Sequence, residues 1–449
     1  MNPLSSSFRA PGPKWVPLLA KVLRARLSFI DVLVRESAVY GDTYALPLPV
    51  PTFVIRHPDD IKHVLVSNPL NYHKTGSLTV AEQLLGQGLV SSDEPLHGKQ
   101  RKMMQPMFHK SSVSGFAEMM TTVTERHVAG WEDGQRLDLA VEMMHLTISI
   151  VGLSLFSVDL LREGRDLGHE FERALRLVTI QQMLPPLPRW LTAPLDRRYE
   201  RSIANIDAAV EEIIAEHKAL PEDERPNDLL AMILAARYED GTPVPDKQVR
   251  DEMITIILAG HETVANHLNW TWYLLAKHPE THAKLLREWE EVLGDRAPGM
   301  EDVGRLPYTS MVLAESMRLY PPAWTLARRA KEADRLPSGL EINAGDELLM
   351  LQYVSHRNPA YFPDPEEFIP ERFSPERKDS IPRFAYFPFG MGPRFCIGEG
   401  FAKLEAIIVL VLIGRRFRFE LERKGPARKE TLVTLRPKKG MPVMVHKRA

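Results

Sequence analysis

The 449-residue chain has a single cysteine, Cys396, within Phe389-Gly390-Met391-Gly392-Pro393-Arg394-Phe395-Cys396-Ile397-Gly398. One cysteine forms no intrachain disulfide and offers no Cys-pair spacing for a metal. Three glycines in this turn let the backbone come close to something flat. A helical run is expected from about Glu399. A thiol just before a helix N-terminus is favoured as thiolate by the helix dipole and by free backbone N–H groups, and Arg394 adds to the effect. These are conditions for a thiolate that ligates a metal. The same residues also suit an inert cysteine in a glycine-rich loop.

Three other groups have types and spacing that bear on chemistry. Ala259-Gly260-His261-Glu262-Thr263 places polar side chains midway along an apolar stretch, and the Thr263 hydroxyl is within reach of the carbonyl of Ala259. His97 and Arg101 are four apart, so on a helix they share a face that can hold two carboxylates. A solvated basic face is the blander alternative. Glu315 and Arg318 are three apart and can pair on one helix face.

The elements that position these groups follow from punctuation and periodicity. Asp246–Lys277 lacks proline and has one glycine; Pro245 precedes it, Asp246 is available as its cap, and His278-Pro279 stops it. At 1.5 Å per residue it is about 48 Å long, enough to cross a whole domain. Helices are expected over Ser28–Tyr40 and Tyr308–Leu319, the latter ended by Pro321-Pro322. Asp42–Leu46 and Thr52–Ile55 read as strands. Further short strands are expected around Glu341, over Glu347–Leu351 and at Val354. Thr431–Pro437 and Met441–Val445 read as a terminal hairpin. Asn71–Pro95 reads as a loop, and Met183–Trp190 as a proline-rich interruption between helices.

Composition bounds the class. Hydrophobic content of 44% and charged content of 26% are ordinary for a globular chain, and the net charge of −2 argues against bulk binding to nucleic acid. The most apolar N-terminal stretch, Trp15–Leu23, is interrupted by Pro17 and Lys21 and falls short of the ~20 apolar residues of a span. No membrane anchor and no signal peptide are expected.

The cysteine turn resembles the haem-binding motif of the cytochrome P450 family, Phe-x-x-Gly-x-Arg-x-Cys-x-Gly, at Phe389, Gly392, Arg394, Cys396 and Gly398. Ala259–Thr263 is similar to the family's oxygen-activation motif. Glu315 and Arg318 with Pro370-Glu371-Arg372-Phe373 resemble its Glu-x-x-Arg helix and partner segment. The resemblance implies a mainly α fold with small β-sheets (α+β) in a single large domain, residues 1–449. Residues 1–40 would be an N-terminal extension and first helix, 41–70 part of a small β-rich region, and 71–449 a mainly helical core with a C-terminal hairpin.

It further implies haem b, non-covalent apart from the Cys396 thiolate–iron bond, because family members with covalent haem carry glutamate where Ala259 stands. Phe389, Gly390, Arg394 and Gly398 would cradle the haem. His97, Arg101, Arg328 and His356 would contact its propionates, with Arg329 the competing register for Arg328. Thr263, Glu262 and Gly260 would serve proton delivery. Glu315, Arg318 and Arg372 would form a buried clamp. Ala259, Trp324, Thr325, Leu326 and Val433 or Thr434 would line the substrate pocket, with Asn71–Pro95 and Met183–Trp190 as the loop and lid over it. The implied activity is insertion of one oxygen atom from O2 into an apolar small molecule: a fatty acid, terpenoid or steroid. Electrons would come from a ferredoxin or flavodoxin with a reductase. A monomer in the cytoplasm is expected. Rival readings are a haem-thiolate isomerase or electron carrier that does not activate oxygen, and a helical scaffold without cofactor. Glu262-Thr263 speaks against the first.

Overall fold

A computed structural model describes residues 9–14, 29–74, 83–161, 167–183, 189–238 and 241–448. Trp15–Leu23 and residues 184–188 of the proline-rich interruption lie outside these, as do residues 75–82 of the expected loop. The helices that matter to function are α1 (Phe29–Tyr40), α2 (Leu96–Met104), α3 (Ala117–Val128), α4 (Leu139–Phe156), α5 (Leu167–Met183), α6 (Arg189–Ala219), α7 (Asp246–Lys277), α8 (Pro279–Leu293), α9 (Pro307–Leu319) and α10 (Glu399–Arg416). Short strands punctuate them: β1 (Thr43–Leu46), β2 (Thr52–Ile55), β3 (Tyr72–His73), β4 (Arg136–Asp138), β5 (Leu326–Ala330), β6 (Glu347–Met350), β7 (Phe417–Leu421) and β8 (Pro442–Lys447). The fold is mainly α with small sheets.

The chain groups into two compact units. The first lies within Met1–Thr75, Met311–Cys396 and Arg428–Thr431. Its sheet has the order β1-β2-β6-β5-β3, with β2 and β6 parallel and the other pairs antiparallel. Apolar residues of this sheet pack with Ile61, Val64, Leu65 and Phe387 into one core cluster. The strand expected at Val354 is instead a helical turn, Gln352–Ser355. All four of its residues are buried, so burial and not alternation governs that stretch.

The second unit lies within Gly76–Ser310, Ile397–Ala427 and Leu432–Ala449. Its axis is α7, with the bounds its flanking prolines predict. Asp246 does not cap it. Pro245 occupies the cap position, and the Asp246 carboxylate pairs with Lys218 of α6. Trp270, Trp272 and Trp289 are among the largest fully buried side chains. Met441–Val445 does not pair with Thr431–Pro437 as a hairpin. Strand β8 runs between β4 and β7, antiparallel to both, with Val443 opposite Leu137 and Leu421. Its alternating burial suits a central strand with one face on the core. Among the described residues only α4 is long and apolar enough to cross a membrane by length and composition, and most of it is buried inside the protein.

Candidate active site

Cys396 closes a turn in the first unit. Its N–H donates to Phe389 O (2.9 Å), and Gly390 N–H donates to Phe387 O (3.0 Å). Gly392 has φ +66°, and a Cβ there would lie 1.9 Å from Leu65 O. Any side chain would therefore both strain the backbone and collide with it. Phe389 and Phe395 face each other across the turn with centroids 6.5 Å apart. Arg394 is half-buried, whereas Cys396 is exposed. Gly398, two residues on, is the N-cap of α10. The thiol thus stands ahead of a helix N-terminus, where the thiolate is favoured.

The same unit holds a buried ionic cluster. Glu315 accepts from Arg318 Nε (2.7 Å) and Nη2 (2.8 Å), from Arg372 Nε (3.3 Å) and from Ile369 N–H (3.0 Å). Arg318 spends its remaining hydrogens on the carbonyls of His356 (3.0 Å), Pro365 (2.7 Å) and Glu367 (3.0 Å). Two cations on one carboxylate are tolerable here because each remaining donor shown finds a carbonyl. The cluster thereby ties helix α9 to the loop that precedes the cysteine turn.

His356 is not a propionate contact. It is fully buried among Phe362, Tyr386 and Phe387, and its Nε2 accepts from Phe387 N–H (3.1 Å). Burial, together with the charges of Arg318 and Arg357, holds the imidazole well below its usual pKa, so it is neutral. The ring orients the segment leading to Cys396. On β5, Arg328 is buried, while Arg329 pairs with Glu347 (2.6 Å). Alternation along the strand sends the two arginines to opposite faces.

The expected pocket residues of this unit adjoin the same strand. Leu326 Cδ1 lies 3.8 Å from where a Cβ on Gly390 would stand, which brings the strand against the cysteine turn. Trp324 packs on the cluster of Leu33, Tyr44, Val54 and Leu351. Thr325 Oγ1 is buried with no hydrogen-bond partner among the described residues. An orphaned buried hydroxyl costs about 1–3 kcal/mol unless something satisfies it.

In the second unit, α7 is buried from Asp251 to Leu258 and from Val264 to Leu275, but Ala259 is exposed and Gly260 and Thr263 are partly so. This is a window of accessible surface on one face of an otherwise buried helix. Thr263 Oγ1 donates to Ala259 O (2.7 Å), which commits its hydrogen and leaves its oxygen as an acceptor facing the window. On the other side Gly260 admits α4: a Cβ there would meet Val151 Cγ2 at 3.0 Å. Glu262 is buried and accepts from Thr434 Oγ1 (2.7 Å). Burial pushes its carboxyl pKa up, against the opposing effects of Thr434 and Arg436. The neighbouring His261 is pushed down to about 4 by burial, so it is neutral. His97 and Arg101 both lie on α2; His97 is buried with Nδ1 3.0 Å from Glu94 Oε1. Val433 is exposed, whereas Thr434 is committed to Glu262 and is not a pocket-facing hydroxyl.

Sequence reasoning missed four contributors. Arg357 is buried against Tyr353 (3.6 Å to the ring) and donates to Leu319 O. Asn266 donates to Glu262 O (3.0 Å) and Thr434 Oγ1 (3.1 Å). Its i+4 spacing from Glu262 was the available signal. Asp251 and Glu252 accept from Gln87 N–H and Leu89 N–H (both 2.9 Å), holding the loop ahead of α2; adjacent acids in a buried helix were the signal there.

Among the described residues no three His, Cys, Asp or Glu side chains lie together as a metal-binding group. An iron held by Cys396 alone must bring its other ligands in a prosthetic group. The exposed thiol and the flanking phenylalanines fit a flat apolar one.

The comparisons agree with this chemistry. The family model described as Cytochrome P450 matches residues 10–444. The chain is 34% identical over 419 residues to cyclooctat-9-en-7-ol 5-monooxygenase of Streptomyces melanosporofaciens, covering 91% of this chain and 88% of that protein. It is 30% identical over 433 residues to pentalenene oxygenase of Streptomyces avermitilis, covering 95% and 94%. The crystal structure of the cytochrome P450DA heme domain superposes with a TM-score of 0.88 at 26% identity, covering 98% of each chain.

Proposed function

Because the chain belongs to the cytochrome P450 family and is a haem-thiolate monooxygenase that takes electrons from redox partners, we propose that its substrate is a cyclic terpenoid hydrocarbon or its alcohol. The observation that carries this reading is the activity named for the two relatives, which are similar along more than nine-tenths of this chain and oxygenate cyclooctat-9-en-7-ol and pentalenene. We propose further that residues 1–449 act as one haem domain in the cytoplasm, supplied with electrons by a ferredoxin or flavodoxin.

The bound haem supplies oxygen activation and the oxidation of the substrate carbon. The residues of this chain hold it and govern protons. Cys396 is the iron ligand, kept as thiolate by the N-terminus of α10 and by Arg394. His97 and Arg101, four apart on α2, would hold propionate groups of the haem. Arg328 serves the same purpose from β5, a reading supported by Arg329 being engaged with Glu347. Phe389, Gly390 and Gly398 would pack against the haem. The reaction takes up two electrons and two protons for each oxygen atom inserted, the other oxygen leaving as water. Glu262 holds the proton, and the Thr263 oxygen, turned to the window, accepts a hydrogen bond that orients the donor. Ala259 lines that window, and Gly260 lets α4 pack closely against the other side of the helix. Trp324, Thr325, Leu326 and Val433 contact substrate.

Optical titration of the ferric protein tests the substrate. Cyclic terpene hydrocarbons and their alcohols should move the Soret band from low to high spin at micromolar concentration, and fatty acids and steroids should not. A shift confined to fatty acids or steroids would reject the terpenoid assignment.

A further inference from the structure

Glu262 is held by a segment far away in sequence. Thr434 donates its hydroxyl hydrogen to Glu262 Oε1 (2.7 Å) and accepts from Asn266 Nδ2 (3.1 Å). The amide hydrogen occupies one lone pair of Oγ1, so the hydroxyl hydrogen is aimed at the carboxyl. Trp270 Nε1 donates to Leu435 O (3.0 Å), tying the next residue to the same helix. Beyond it, Arg436 pairs with Glu172 of α5 (3.4 Å). Glu262 and Thr434 are 1% and 4% exposed, and the Arg436 and Glu172 side chains 11% and 43%. The polar groups thus form a graded series from a buried acid to solvent, on residues 172, 434 and 436. The Thr263 oxygen, by contrast, faces the window.

We propose that Thr434 is the positioning residue of the Glu262 carboxyl, and that Arg436 and Glu172 mark the solvent end of the route by which Glu262 regains its proton. This rests on the reading of Glu262 as the relay acid. When Glu262 gives up its proton, it becomes a carboxylate without bulk water around it, which is costly unless hydrogen-bonded and near a cation. The Thr434 hydroxyl supplies the hydrogen bond and Arg436 the cation, while Glu172 opposes ionisation and His261 stays neutral. Solvent returns one proton for each proton released, and no other bond changes.

The test uses the holoprotein as Thr434→Val, Thr434→Ser, Glu262→Gln and the double variant Thr434→Val/Glu262→Gln. Removing a donor from a carboxyl that ionises as pH rises should make the loss of thermal stability in Thr434→Val larger at pH 8 than at pH 5. Thr434→Ser should restore stability, and the pH dependence should vanish in the Glu262→Gln background. With the terpene that gives the largest Soret shift, the pH profile of coupling (product per electron pair) should move up by about 1 pH unit in Thr434→Val. A stability loss equal at both pH values and in both backgrounds would show that Thr434 merely packs, and overturns the proposal. So does an unmoved coupling profile. Unchanged coupling in Glu262→Gln overturns the relay reading itself; a stability loss that still depends on pH would separate that failure from failure of the Thr434–Glu262 pair. An unaltered solvent isotope effect on turnover in Arg436→Gln overturns the solvent-end assignment.

Discussion

Glu315 shows how one residue can carry more than its own hydrogen bonds. Its carboxylate accepts from two guanidinium groups and one backbone N–H, and Arg318 passes that order on to three carbonyls ahead of the cysteine turn. Replacing Glu315 by alanine leaves Arg318, which is fully buried, with its charge unpaired. Loss of one partner of such a pair typically costs about 3–5 kcal/mol. The urea midpoint of Glu315→Ala should fall accordingly. A change below about 1 kcal/mol, the size expected of a surface pair, would mean that the cluster is not a stability element. Glu262 is buried as Glu315 is, but it has no cation within salt-bridge distance among the described residues, and burial raises its pKa. The first carboxylate is ringed by cationic donors, whereas the second meets a neutral hydroxyl.

At the scale of elements, α7 organises what lies around it through acids at its N-terminal end. Asp251 and Glu252 receive the N–H groups of Gln87 and Leu89, and Gln248 donates to both Glu252 and Gln87 O. Burial pushes the Glu252 carboxyl up to about 7, although the Leu89 N–H and Gln248 work the other way. Its ordinary pKa is 4.5, so between pH 4.5 and 7 the folded protein binds more protons than the unfolded chain. Stability from this group is therefore greatest below pH 4.5 and declines as pH rises through 7. The size is on the order of 3 kcal/mol. Glu252→Gln removes the titration, so its urea midpoint should decline less than that of the wild type between pH 5 and pH 8. Parallel pH profiles for the two proteins would rule out this origin.

At the scale of the whole molecule, haem binding should add to stability: Cys396 is exposed in a turn of aromatic side chains suited to a flat apolar group. A ligand that binds only the folded state adds RT ln(1 + [L]/Kd), about 2.7 kcal/mol at one hundred times Kd. Haem-depleted protein should therefore melt at a lower temperature than the holoprotein, and added haem should restore the difference. In Cys396→Ala the haem-dependent increment should shrink. Equal melting temperatures with and without haem would show that this turn does not carry the cofactor's binding energy.

Much of this was legible in the residues themselves because it is local. The turn at Cys396 is written in its glycines: Gly390 and Gly392 have positive φ, and Gly392 has no room for a side chain against Leu65 O. The bounds of α7 follow from Pro245 and His278-Pro279, and the Glu315–Arg318 pair from three-residue spacing on a helix. The partners of buried polar groups were not legible. His356 accepts from Phe387, Thr434 serves Glu262, and Asp246 pairs with Lys218 where its place suggested a cap. Val354 sits in a helical turn, and Pro442–Lys447 pairs with strands that begin at Arg136 and Phe417. Periodicity and punctuation act through neighbours on the chain, so the sequence by itself determined the helices and the residues able to do chemistry. The satisfaction of a buried donor or acceptor depends on whichever distant segment packing brings within hydrogen-bond reach, and that was decided only by the tertiary structure.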